Sequence, residues 1–261
     1  MSSMDAVARF AELVARPDPP LDQAALALAA GADPTLDPAP WLAELDRLAA
    51  GVDSLDALVH RLFVVESFAG NERRYQDPRN SLLNHVLARR LGIPITLAVV
   101  TIEVGRRAGV ALEGVGMPGH FLVRVPDTEH YLDVFDGGRR LNPTECEARF
   151  RSVTGAGAEV PFGPHLLRTA STTAILTRML ENLRAVFRSR RRPFDLEWVL
   201  RMRLALPGGG LPEVAELAEA LGGQARWQDG ARLLEQQVPS LSSPQAAQVR
   251  AAARALRAHL N

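Results

Sequence analysis

The sequence has no lysine: all thirty of its basic residues are arginine, and they face thirty acidic residues in a chain of 261. This excludes a Schiff-base lysine and the lysine of a phosphate-binding P-loop. A formal net charge of zero gives no global attraction to nucleic acid or to an anionic membrane. The abundance of alanine, glycine and proline beside arginine assigns the bias to codon usage. The single cysteine, Cys146, excludes an internal disulfide and a multi-cysteine metal site. No apolar run approaches the ~20 residues of a membrane-spanning helix. The longest, Gly92 to Val104, is interrupted by Thr96, Thr101 and Glu103. The opening Met1-Ser2-Ser3-Met4-Asp5 shows no basic segment leading into an apolar one, so no signal peptide is visible. Together these absences point to the cytoplasm and to no membrane partner. No H-E-x-x-H, C-x-x-C, G-x-S-x-G or G-x-x-x-x-G-K-[ST] is present.

What is there reads as a globular chain of one or two domains, 47% apolar and 23% charged. Up to about residue 90 the apolar residues recur at helical spacing: Val7, Phe10, Leu13 and Val14, then Trp41, Leu42, Leu45 and Leu48. Ser54 is placed to cap a helix carrying Leu55, Leu58, Leu62, Phe63 and Val65, and Asn80 or Ser81 one that closes at Gly92. Pro94 stands where a helix can start, because the N–H it lacks is not needed there. The helix from Ile95 to Arg107 is apolar nearly all round, which predicts burial against a sheet. Strands are expected over Leu112 to Met117, His120 to Val125 and Tyr131 to Phe135, with a hairpin turn at Pro126-Asp127-Thr128. Ser152 to Pro164 reads as a surface loop. From about residue 168 the pattern is helical again. Two similar segments begin at Phe194 and Trp227, 33 positions apart, near the period of tetratricopeptide repeats; generic helical hairpins account for them equally well. The chain divides into a helical part (1–75), a central α+β part (76–165) and a helical part (166–261).

Gly114-Val115-Gly116-Met117-Pro118-Gly119 has the letters of a dinucleotide fingerprint, but it runs into a strand instead of a helix and reads as a turn. No cofactor is expected. His120, His130 and Asp133 are close in sequence and of types that suit zinc or manganese, though nothing in their spacing demands a metal and none is assigned. A hairpin centred on Pro126-Asp127 sets residue 120 across from residue 133, within cross-strand reach. Two readings stay open on spacing: an acid/base dyad whose Asp fixes the imidazole tautomer, or a buried histidine satisfied by a carboxylate.

Four stretches resemble the SirB-type transglutaminase-like proteins of bacteria. They are Asp77-Pro78-Arg79-Asn80-Ser81-Leu82-Leu83-Asn84, Arg90-Leu91-Gly92-Ile93-Pro94-Ile95-Thr96-Leu97, Gly114 to Phe121, and Leu132-Asp133-Val134-Phe135-Asp136-Gly137-Gly138. The resemblance covers roughly residues 40–240. It implies an α+β, papain/transglutaminase-like core, a buried helix against a small antiparallel sheet, with a helical N-terminal part and an α-helical, tetratricopeptide-like C-terminal region. It also implies a site of Cys at a helix start, His on one strand and Asp on the next. The His carries over to His120 and the Asp to Asp133. The nucleophile position falls at Pro94, where no thiol exists. Loss of the nucleophile from such a triad costs about 10⁶-fold in rate. Cys146 stands in the wrong chain order, and Thr96 and Thr101 read as capping or packing residues.

The expectation is a non-catalytic binding or regulatory module with a residual His120–Asp133 dyad. The start of the Pro94 helix, with Asn80, Pro94 and Ile95, is its candidate ligand-binding region through free N–H groups, and a protein or peptide would bind the helical C-terminal region. The alternative is a hydrolase or acyltransferase using His120 and Asp133 with a non-standard nucleophile. The arginines Arg184, Arg188, Arg190, Arg191, Arg192, Arg201 and Arg203 read as a solvated helix face, which argues against nucleic acid.

Overall fold

The computed structural model describes residues 2–259. Twelve α-helices and six short strands are formed among them. The N-terminal third is α1 (Ser3–Val14), α2 (Leu21–Ala32), α3 (Ala39–Ala49) and α4 (Leu55–Val59), the last capped by Ser54 through the Ala57 N–H as expected. That helix changes after one turn to a π-helical stretch, His60–Val65. Strand β1 (Ala69–Gly70) follows. Asn80 and Ser81 do not cap a helix. They lie in a 3-10 turn, Pro78–Ser81, whose own cap is Asp77. Helix α5 (Leu83–Arg89) ends at Arg90, left-handed at φ 58°, two residues before Gly92. Gly92 closes instead the two-residue strand β2 (Leu91–Gly92), which pairs in parallel with β1.

Helix α6 (Pro94–Ala108) starts on Pro94 as the sequence predicts. Its apolar circumference is covered on all sides: α3, α5 and α8 pack on it as well as the sheet. Gly105 is needed where the chain doubles back, since a Cβ there would sit 2.8 Å from the Val110 carbonyl oxygen. The sheet is an antiparallel meander of β3 (Glu113–Val115), β4 (Leu122–Arg124), β5 (Tyr131–Asp133) and β6 (Arg139–Leu141). The first three are shorter than expected, and β6 carries two arginines and gives no apolar alternation to read. Helix α7 (Pro143–Thr154) follows, reaching three residues into the stretch read as loop.

Alternation along the strands splits the sheet into two faces. Phe121, Val123, Leu132 and Val134 join the main core with α6. Leu122, Tyr131 and Leu141 join Cys146 and Phe150 of α7 in a separate small cluster. The remaining helices are α8 (Thr172–Ser189), α9 (Pro193–Leu204), α10 (Leu211–Gly222), α11 (Trp227–Glu235) and α12 (Ser243–Ala258). Helices α8 to α10 share the main core with α1 and α2. At Gly31 of α2 the Trp198 ring of α9 occupies the space a side chain would need. A third cluster joins α10 to α12.

Candidate active site

His120 and Asp133 come together. Asp133 ends β5, and His120 lies just before β4, its backbone N–H donating to the Met117 carbonyl at 3.0 Å. The register differs from the sequence expectation. Val123 faces Leu132, so Phe135 lies level with His120. The cause is a longer hairpin loop, Pro126 to Glu129. It is closed by Val125 N–H to the His130 carbonyl and by Thr128, whose hydroxyl donates to Val125 O and accepts from His130 N. A slip of two residues keeps the face, and the diagonal reach suffices: His120 Nε2 is 2.9 Å from Asp133 Oδ1.

Both side chains are buried, Asp133 completely. Oδ1 also accepts from the Phe135 N–H at 3.1 Å and the Asp136 N–H at 3.3 Å. Oδ2 forms an ion pair with Arg149 of α7 at 2.7 Å, off the line of a hydrogen bond. Burial alone would raise the Asp133 carboxyl; the bond from His120, its charge, Arg149 and the Asp136 N–H outweigh this and hold it below its ordinary value. A carboxylate there accepts Nε2–H, so Nδ1 is the imidazole nitrogen left to accept a proton. The Phe135 ring stands edge-on to the imidazole, 6.1 Å between centroids, and Tyr75 stands edge-on to Phe135 at the same distance. Arg149 gave no signal in the sequence. It is one arginine of thirty, and only the docking of α7 brings it to Asp133.

No nucleophile completes this pair among the described residues. Tyr131 and Asp133 share the sheet face that α7 covers, whereas Pro94 begins the helix on the opposite face. The Thr96 hydroxyl donates to Asn80 O at 2.5 Å and accepts from Ile93 N at 3.2 Å. The Thr101 hydroxyl donates to Leu97 O at 2.9 Å. Both threonines are buried, in the capping and packing roles read for them. Cys146 is fully buried in the small cluster, and burial, with Glu145 and Asp133 adding to it, pushes its thiol up to about 12. A thiol so placed is almost entirely protonated at neutral pH.

The candidate ligand-binding residues lie elsewhere. Pro94, Ile95 and Asn80 are buried around the start of α6. The Asn80 amide donates to the carbonyls of Arg74 and Tyr75, and its Oδ1 accepts from Asn71 at 3.0 Å and Arg89 at 3.3 Å. These bonds use all its capacity and pin the segment from 71 to 80. His130 is exposed on the hairpin, and no group of three or more His, Cys, Asp or Glu is placed to hold a metal among the described residues. The arginine cluster is largely neutralised: Arg184 pairs with Glu181 and Glu213, Arg192 with Asp195, Arg201 with Glu197 and Arg203 with Glu181. No helix is long and apolar enough to cross a membrane among the described residues.

A buried helix, a four-stranded meander and a His–Asp pair at one end of two neighbouring strands define a transglutaminase-like core. Residues 21–181 match the transglutaminase-like superfamily, and the chain belongs to it. It is similar to the UPF0162 protein of Xylella fastidiosa strain 9a5c, 47% identical over 137 residues, which are 50% of this chain and 48% of that one. It is similar also to the UPF0162 protein of Pseudomonas aeruginosa, 36% identical over 185 residues, covering 66% and 67%. Human F-box only protein 21 is 32% identical over 140 residues, 49% of this chain and 21% of that protein. The chain spans about half the length of the first of these relatives.

Proposed function

We propose that this protein is a transglutaminase-like binding or regulatory module of the SirB type, without catalysis by a thiol. One observation carries the reading: an oriented His120–Asp133 pair stands with no activated nucleophile beside it. The helix-start position is Pro94, the two threonine hydroxyls of α6 are committed to the backbone carbonyls of Asn80 and Leu97, and the one thiol is buried and protonated. What the pair then supplies is structural. It ties β4 to β5 and, through Arg149, the sheet to α7.

In this reading the chain works in the cytoplasm as three parts, 1–75, 76–165 and 166–261, packed on a shared core. The last is tetratricopeptide-like and meets a protein or peptide partner. Its support is the succession of helical pairs α8–α9 and α10–α11 with α12 closing the end. The test is hydrolysis and transamidation of a broad panel of peptide amides by the intact protein and by His120→Ala. No turnover by either is the expected result. Turnover by the intact protein that disappears in His120→Ala would reject the binding reading in favour of a hydrolase or acyltransferase, and Cys146→Ser would then tell whether the thiol takes part.

A further inference from the structure

On the α7 side of the sheet lies a cavity of about 760 Å³, within the range of small-molecule sites. Its floor is Arg124 and Tyr131, directly opposed in the β4–β5 ladder. Their side chains therefore leave the sheet on one face, the face where Tyr131 packs beside Cys146 and Phe150. Thr144 and Glu147 of α7 form one wall. The other is the segment from Phe162 to Thr169, held to the sheet by a bridge between Thr169 and Val115 and by burial of Leu167 in the same cluster.

Two cations line this space with little carboxylate pairing: Arg168 has none, and Arg124 only a long one. The nearest acid to Arg124 is Glu113, at 3.9 Å, and the buried Arg124 Nε has no hydrogen-bond acceptor. Arg168 makes no ion pair or side-chain hydrogen bond among the described residues. The neighbouring arginines behave otherwise: Arg149 pairs with Asp133 and Asp136, and Arg151 with Glu147. That pairing also occupies Glu147, which leaves Glu129, on the exposed hairpin, as the free acid of the lining. The Tyr131 hydroxyl also makes no hydrogen bond among the described residues, but it keeps contact with solvent, whereas the Arg124 Nε is shut off from it. A buried donor without an acceptor costs free energy that a bound acceptor restores.

We propose that this cavity binds a small organic oxyanion, a carboxylate or a phosphate monoester on an apolar or aromatic body. The Arg124 and Arg168 guanidinium groups receive the oxyanion as charge-assisted forks. Tyr131, Phe162 and Leu167 receive the body. Arg124 is at the far end of β4 from His120, so the proposal stands independently of whether the His120–Asp133 pair is catalytic.

The experiment is an NMR titration of the ¹⁵N-labelled full chain, followed at backbone amides and arginine Nε–H groups. The probes are phenyl phosphate, benzoate and neutral phenol at constant ionic strength. The expected result is a saturable shift of the Arg124 Nε–H and of amides in β4, β5 and the 162–169 segment with at least one anion and not with phenol. The tighter of the two anions distinguishes a phosphate site from a carboxylate site. Arg124→Gln and Arg168→Gln should each weaken binding roughly tenfold. Arg168 is exposed on a loop, so its variant separates loss of binding from loss of fold. No saturable shift at millimolar anion, equal shifts with phenol, or undiminished binding in both variants would each overturn the proposal.

Discussion

The two faces of the meander differ in what they bury. The face under α6 buries apolar side chains, with the charged Arg140 only at its exposed edge, and is continuous with a core that reaches from α1 to α10. The face under α7 holds a small cluster, and with it the lone thiol, the His120–Asp133–Arg149 set and the arginine-lined cavity. A charge buried in the thick core would be far from water and from any counter-charge. Under a single helix, Asp133 keeps a half-exposed arginine within reach. Buried carboxylates are also satisfied at the α2–α6 contact, where Arg106 and Arg107 pair with Asp22 and Glu103, but both candidate sites lie in the thin layer.

Substitutions of one chemistry on the two faces test this difference. Leu132→Ala, in the central strand and main core, should cost ~4 kcal/mol, and Leu141→Ala, in the edge strand and small cluster, ~2 kcal/mol, both by urea denaturation. Equal costs would break the comparison. Asp133→Ala should cost ~2–3 kcal/mol, less than a fully buried ion pair because the freed Arg149 can reach water. The same residue gives a pH test. Its folded carboxyl ionises below the unfolded value, so its stabilisation is complete above about pH 4 and fades as the pH falls further. Asp133→Asn should flatten that part of the stability profile, and an unchanged profile would show that the ion pair is not formed. Cys146 should resist alkylation at pH 8 in the folded protein and react at once in denaturant, and rapid native labelling would mean that the α7 layer opens readily. Glu12→Ala breaks the exposed Arg9–Glu12 pair on α1, remote from both faces, and should move stability by less than ~0.5 kcal/mol.

Much of the architecture was legible. Pro94 announced the start of α6, Ser54 that of α4, and the all-round apolar pattern from Ile95 onward its burial. Less legible were elements whose cause is non-local. Strands β1 and β2 are two residues each and exist because they pair with one another. Strand β6 has an Arg-Arg-Leu sequence with no periodicity and forms because β5 offers an edge. The strand register is offset by two residues from the one a turn centred on Pro126-Asp127 implies, since Asp127 adopts φ 57° and Thr128 closes a wider turn. The pairing of His120 with Asp133 survived that error only because the slip was even.

The linear order of residues alone fixed the absence of a thiol at the start of α6, the single cysteine and the types of the two proton-handling side chains, since composition and position need no folding to be read. Which groups meet Asp133, where Cys146 hides and which arginines go without an acid were decided by the docking of α7 and the 162–169 segment onto the sheet. Those contacts join residues many positions apart. Their energies depend on burial and geometry, which no local pattern carries.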